Sequence, residues 1–141
     1  MNGKIGDKDF ILDGSSPIVA VVLNNAGEDT GLKVFRFDVS SGWLQLGSTL
    51  RAEPKMNVLE VSLSGKTNDL SVAFTQNRPG NPYSELVLKH WDGNLWKSST
   101  KEPFAVDVRC PNTITTELSH FVSWLRSNKM RSTVWTLKYD R

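Results

Sequence analysis

Apolar residues in this chain come in short bursts, and the bursts are separated by Gly, Asn, Asp, Ser and Pro. The first ones are "FIL" at 10–12, "PIVAVVL" at 17–23, "GLKVFRF" at 31–37, "WLQLGSTL" at 43–50 and "NVLEVSL" at 57–63. They continue with "LSVAFT" at 70–75, "ELVLKHW" at 85–91, "NLWKSST" at 94–100, "FAVDVRC" at 104–110, "HFVSWL" at 120–125 and "STVWTLKY" at 132–139. Each is rich in β-branched and aromatic residues. No long stretch places apolar residues at i, i+3, i+4 and i+7, so helix is not expected. About eleven strands with turn residues between them predict an all-β domain.

A strand with one wet face alternates apolar and polar residues, whereas a strand covered on both faces does not. "IVAVV", "VFRF", "FVSWL" and "TVW" do not alternate cleanly. Several strands are therefore expected between two layers.

The pattern also repeats. Phe37-Asp38, Trp91-Asp92 and Tyr139-Asp140 each close an apolar strand, with spacings of 54 and 48 residues between the aspartates. Upstream of each, a small residue sits between apolar neighbours: Ala20, Ala73 and Ser123, spaced 53 and 50 apart. After the first two dipeptides a short turn leads to Trp43 and Trp96. Two independent landmarks with nearly one period define three units, at about 1–38, 39–92 and 93–141, within a single domain spanning 1–141.

A strand ending in aromatic-Asp at this period resembles the WD repeat of β-propellers. "NVLEVSLSGKTNDLSVAF" looks like the inner two strands of a blade, "ELVLKHWD" like its third and "NLWKSST" like its outer fourth. One of the three dipeptides is literally Trp-Asp, and no Gly-His dipeptide occurs. The resemblance implies antiparallel four-stranded blades. The aromatic at 37, 91 and 139 would fill the space between blades, and the Asp at 38, 92 and 140 would hold the following turn by accepting backbone N–H bonds. Three units do not close a ring, and the third unit is read as stopping at its third strand. An open propeller would expose blade faces and strand edges, with Val34, Phe35, Val134 and Trp135 among the candidate apolar surfaces. A sandwich or barrel of about eleven strands is the alternative architecture.

Charge changes the picture little. The chain has 141 residues and a formal net charge of +2, too small to imply nucleic acid or an anionic membrane. Residues 1–70 carry seven Lys/Arg and nine Asp/Glu, and residues 71–141 carry ten and six. A single cysteine, Cys110, excludes an intrachain disulfide, and it is read as a small buried core residue. No apolar leader and no membrane-length apolar run is present, so a cytoplasmic or nuclear setting is expected.

Candidate chemistry is sparse. His90 and His120 lie in different strands of different units and are each read as packed or surface histidines, so no metal or cofactor site is expected. "RPGNPY" at 78–83 is a Pro/Gly loop and not a phosphate loop. The acids sit mostly in turns, without the convergent pair that glycoside cleavage needs. The candidate partner-binding residues are Arg126, Lys129 and Arg131, in an expected hairpin loop beside aromatics, and Trp96 if it is exposed. The expected function is a non-catalytic protein-interaction scaffold, an open propeller completed by a partner chain or a second copy. A carbohydrate-binding propeller lectin is the alternative, and a glycoside-acting enzyme or its remnant the third.

Overall fold

Every apolar burst of the sequence contributes residues to a strand in the computed structural model, which describes residues 4–24, 31–50, 56–98, 105–116, 119–128 and 131–140. Residues 4, 105, 126–128 and 131–140 are described through their backbone alone. The first sheet contains β1 (Lys4–Asp13), β2 (Ser16–Asn24), β3 (Gly31–Asp38) and β4 (Gly42–Gln45). The middle sheet contains β5 (Asn57–Lys66), β6 (Asp69–Asn77), β7 (Glu85–Trp91), β8 (Trp96–Ser98) and the short β9 (Ala105–Val106). The third contains β10 (Val108–Thr115), β11 (Ser119–Asn128) and β12 (Arg131–Asp140). The protein is all-β. No helix among the described residues is long and apolar enough to cross a membrane.

Each sheet is an antiparallel meander in sequence order, β1-β2-β3-β4, β5-β6-β7-β8 and β10-β11-β12, with β9 added to β7. Pairing is local, as short turn-bounded strands favour, and none of the three sheets closes on itself. The register aligns the three. Asp9 faces Ala20, Ser62 faces Ala73 and Asn112 faces Ser123, so the three small residues occupy one structural position. A bulge interrupts the first strand of each sheet just before this pair, between Ile5 and Lys8, Val58 and Glu60, and Arg109 and Asn112. The fourth strand is broken in the same way twice. β4 pairs with the end of β3, and the chain returns at Leu50 to bridge Leu32. β8 pairs with the end of β7, and β9 returns at Ala105 to pair with Leu86. The pairing thus places β4 and β8 with the sheet before them, whereas the sequence units divide just ahead of these strands.

The sheets stack face to face, with their first strands side by side. Ile18, Ala20, Val22, Leu32 and Val34 of the first sheet share one core with Val61, Leu63, Leu70, Val72, Phe74 and Trp91 of the middle one. Ala73, Leu86 and Leu88 on the other face of the middle sheet pack with Val108, Val122 and Trp124 of the third. In β6 every residue from Leu70 to Gln76 is buried, as expected for a strand between two layers.

Side chains of each first strand satisfy the open edge of the next. The Val61 and Leu63 amides donate to Asp7 Oδ2 and Asp9 Oδ2 at 2.9 and 2.8 Å. The Thr67 amide donates to Asp13 Oδ2 at 2.9 Å. One sheet on, the Cys110 amide donates to Glu60 Oε2 at 2.9 Å and the Thr113 amide to Ser62 Oγ at 3.0 Å. An unpaired edge amide in a half-dry setting is costly, and these acceptors remove that cost. They also explain why polar "GDKD" at 6–9 is strand, a stretch the hydrophobic pattern does not mark.

Two expectations are corrected here. Cys110 is exposed, not core, because the β10 bulge turns it outward with φ of 50°. Val34 is not on an open surface: it faces the middle sheet and is buried, while its neighbour Phe35 points to the other side and is half-buried. The side chains of Val134 and Trp135 lie outside the described residues.

Candidate interaction face and polar cluster

β2 reads "SPIVAVVLN", apolar on both faces, yet its burial alternates: Ile18, Ala20 and Val22 are buried while Pro17, Val19 and Val21 are half-buried. The register equates Pro17, Val19 and Val21 with Leu70, Val72 and Phe74 of β6, all fully buried beneath the first sheet. Phe10, at 67% exposure, equates with Leu63, at 3%. Phe37 and Trp43 equate with Trp91 and Trp96. The outer face of the first sheet therefore repeats the apolar character of a covered face without being covered.

The aromatic pairs show the same difference. Trp91 and Trp96 have ring centroids 5.3 Å apart, and Trp91 is only 6% exposed. The Trp96 indole donates to the Leu46 carbonyl of the first sheet's returning segment at 2.8 Å. Gly47, at φ of 68°, is part of this joint: a Cβ there would lie 2.8 Å from both indole rings. On the first sheet, Phe37 and Trp43 meet edge to face with centroids 5.3 Å apart. Trp43 is 53% exposed, and with Asp7, Lys8, Asp9, Phe10, Pro17 and Val19 it lines a groove of about 530 Å³. At the open edge, the Phe10 amide donates to its own Asp9 Oδ1 at 2.9 Å. The equivalent Leu63 and Thr113 amides donate instead to a neighbouring sheet.

The sequence-selected residues fall as follows. Trp96 is half-buried and its N–H is committed to Leu46, so it is a packing residue rather than a free stacking surface. Arg126 lies in β11 and Arg131 in β12 rather than in the expected hairpin loop, because β11 and β12 pair out to Asn128 and Arg131, and their side chains and all of Lys129 lie outside the described residues. Phe37 and Trp91 close β3 and β7, and Tyr139 sits at the matching backbone position of β12. Asp38 Oδ1 accepts the Ser40 and Ser41 amides at 2.9 Å each, and Asp92 Oδ1 accepts the Asn94 and Leu95 amides at 2.9 and 2.8 Å. The Ser40 hydroxyl and these amides hold the Asp38 carboxyl below the usual carboxylate range. Asp92 is held lower still, first by the Lys97 ammonium at 2.5 Å and then by its two amides. Asp140 ends β12 and its side chain is outside the described residues.

The two histidines, from different sheets, meet. His90 on β7 and His120 on β11 have ring centroids 5.2 Å apart. Asp69 Oδ1 lies 2.7 Å from His90 Nε2 and 3.5 Å from His120 Nε2. His120 Nδ1 is 2.8 Å from Thr115 Oγ1, which is 2.8 Å from Ser64 Oγ. Strand parity explains the meeting: Leu70 and Trp91 face the first sheet, so Asp69 and His90 face the third. The repeat spacing held a signal for it. Ser123 aligns with Ala73, which puts His120 in the position of Leu70, immediately beside Asp69.

Comparison with protein-family models, curated proteins and solved structures finds no match for this chain.

Proposed function

We propose that this chain is a non-catalytic interaction module, an open β-propeller whose first blade docks a further blade from a second copy or a partner chain. The observation that carries the reading is the contrast between Phe10, Pro17, Val19, Phe37 and Trp43 and their covered counterparts Leu63, Leu70, Val72, Trp91 and Trp96. A face built like a covered one, and exposed, is the ordinary mark of an interface. The stacking of three meanders by their first strands, the repeated bulge and the aromatic-Asp turns all support blades of propeller type. The Asp7 and Asp9 carboxylates hold β5 amides and Asp13 holds the Thr67 amide just after β5, a structural use that speaks against glycoside chemistry on β1.

Light scattering from micromolar to hundreds of micromolar tests this. Self-completion raises the mass above the 15.8 kDa monomer, and Phe10→Asp or Trp43→Asp lowers it again. Either variant leaves monomer stability within about 0.5 kcal/mol, as expected at an exposed site. A concentration-independent monomer that loses more than about 2 kcal/mol on Phe10→Asp would have this face covered within the chain, and the reading fails. The carbohydrate alternative moves from Trp96 to Trp43, whose exposed ring lines the groove with Asp7 and Asp9. It requires a sugar-dependent thermal shift that Trp43→Ala removes.

A further inference from the structure

We propose that Asp69, His90 and His120 form a site for one divalent transition metal ion of the zinc class, held between the middle and third sheets. The three ligand atoms lie within 4.8 Å of one another. Around zinc, with bonds of about 2.0–2.1 Å in tetrahedral geometry, ligand atoms sit about 3.3 Å apart. The observed 2.7 and 3.5 Å from Asp69 Oδ1 bracket that value, and side-chain rotation would bring the two imidazoles to matching distance. Two imidazoles and one carboxylate suit zinc, cobalt or nickel, whereas calcium and magnesium favour oxygen ligands.

The surroundings fit a ligand set. A metal-binding histidine donates its other ring N–H to an outer partner, which fixes the ring. His120 has such a partner in Thr115 Oγ1, backed by Ser64, and the ring is fully buried. The Asp69 and His90 side chains keep 23% and 22% exposure, which gives an ion a way in and a water the fourth position. Gly65 clears this corner, since a Cβ there would lie 2.1 Å from the Asp69 carbonyl. The repeat does not require the cluster. At the corresponding joint between the first and middle sheets the register places Ser16, Arg36 and Leu70. Such a metal would link strands 69–77, 85–91 and 119–128 and add a brace between the third sheet and the middle one, beside their shared apolar core.

The test is titration of the metal-free full chain, in a Cys110→Ser background that removes thiolate binding. Cobalt(II) should develop a visible d–d band that saturates at one ion per chain and is displaced by zinc. Asp69→Asn and His90→Gln, at half-exposed positions, should each weaken binding at least about tenfold while far-UV dichroism is unchanged. Zinc at about a hundredfold excess over Kd should raise the melting temperature by roughly 5–10 °C, and magnesium should not. A readout on the parent sequence needs no ligand variant: the chain has two histidines, and the Nε2 resonances of both should shift with zinc. A non-saturating cobalt spectrum, variants that bind like the parent, or unmoved histidine resonances would each overturn the proposal.

Discussion

Replacing Trp91 and Phe37 by alanine, one at a time, measures how much a neighbouring sheet adds to one structural position. Both residues close a third strand beside a tryptophan of the fourth, with centroid separations of 5.3 Å in each case. Trp91 is covered by the first sheet, whereas Phe37 lies on the outer face. A nearly buried Trp removes about 150–250 Å² from water, worth roughly 4–6 kcal/mol at 25 cal/mol per Å² as an upper value. Large-to-small deletions in cores support about 3–5 kcal/mol for Trp91→Ala. Half-buried Phe37 gives up about half the area and leaves no closed cavity, so Phe37→Ala should cost about 1–2 kcal/mol. The assay is equilibrium urea unfolding followed by far-UV dichroism, because Trp91→Ala removes a fluorophore. It is run at low micromolar concentration so that docking does not contribute. Unchanged m-values are required before the midpoints are compared. A loss below about 1 kcal/mol for Trp91→Ala, or a Phe37 loss equal to it, would refute the argument that the first sheet covers the middle one through this position.

Three further outcomes are expected. Gly47→Ala should destabilise by about 2–4 kcal/mol and shift tryptophan emission, since it combines a left-handed backbone with overpacking against Trp91 and Trp96; a change under about 0.5 kcal/mol would contradict the joint. Asp9→Ala should cost about 1–3 kcal/mol by stranding the Leu63 amide, and hydrogen exchange at Leu63 should accelerate; unchanged exchange there would show that the carboxylate does not protect that edge. Asp38 and Asp92 have folded pKa values below those of the unfolded chain, so their stabilisation is full above about pH 4 and is lost as pH falls from there through the lowered values. Asp92→Asn should therefore flatten the acid limb of urea midpoints measured from pH 7 to pH 2, and an unchanged limb would remove Asp92 from that role.

Strand formation and local pairing were legible along the chain because both depend on nearest neighbours. β-branched and aromatic bursts bounded by turn residues make strands, and short turns make meanders. The Ala20, Ala73 and Ser123 spacing carried the register of the hairpins, since the small residue always opposes the same first-strand position. The apolar pattern did not reveal β1 before residue 10 or β10 beyond residue 110. Those segments are strands because Asp7, Asp9, Glu60 and Ser62 tie first-strand edges together across sheets some fifty residues apart.

Which face a residue occupies, and whether that face is covered, was decided by the stacking of sheets. β2 is the more apolar in sequence, yet it is buried mainly on one face whereas β6 is buried on both. The Asp69, His90 and His120 cluster has the same origin. Its members come from three strands in two sheets, and only face-to-face packing, with the parity that turns Asp69 and His90 away from Leu70 and Trp91, brings their polar atoms within reach. Local chemistry fixes a strand and its turn, whereas side chains on opposed sheets meet through distances and orientations that no local pattern encodes.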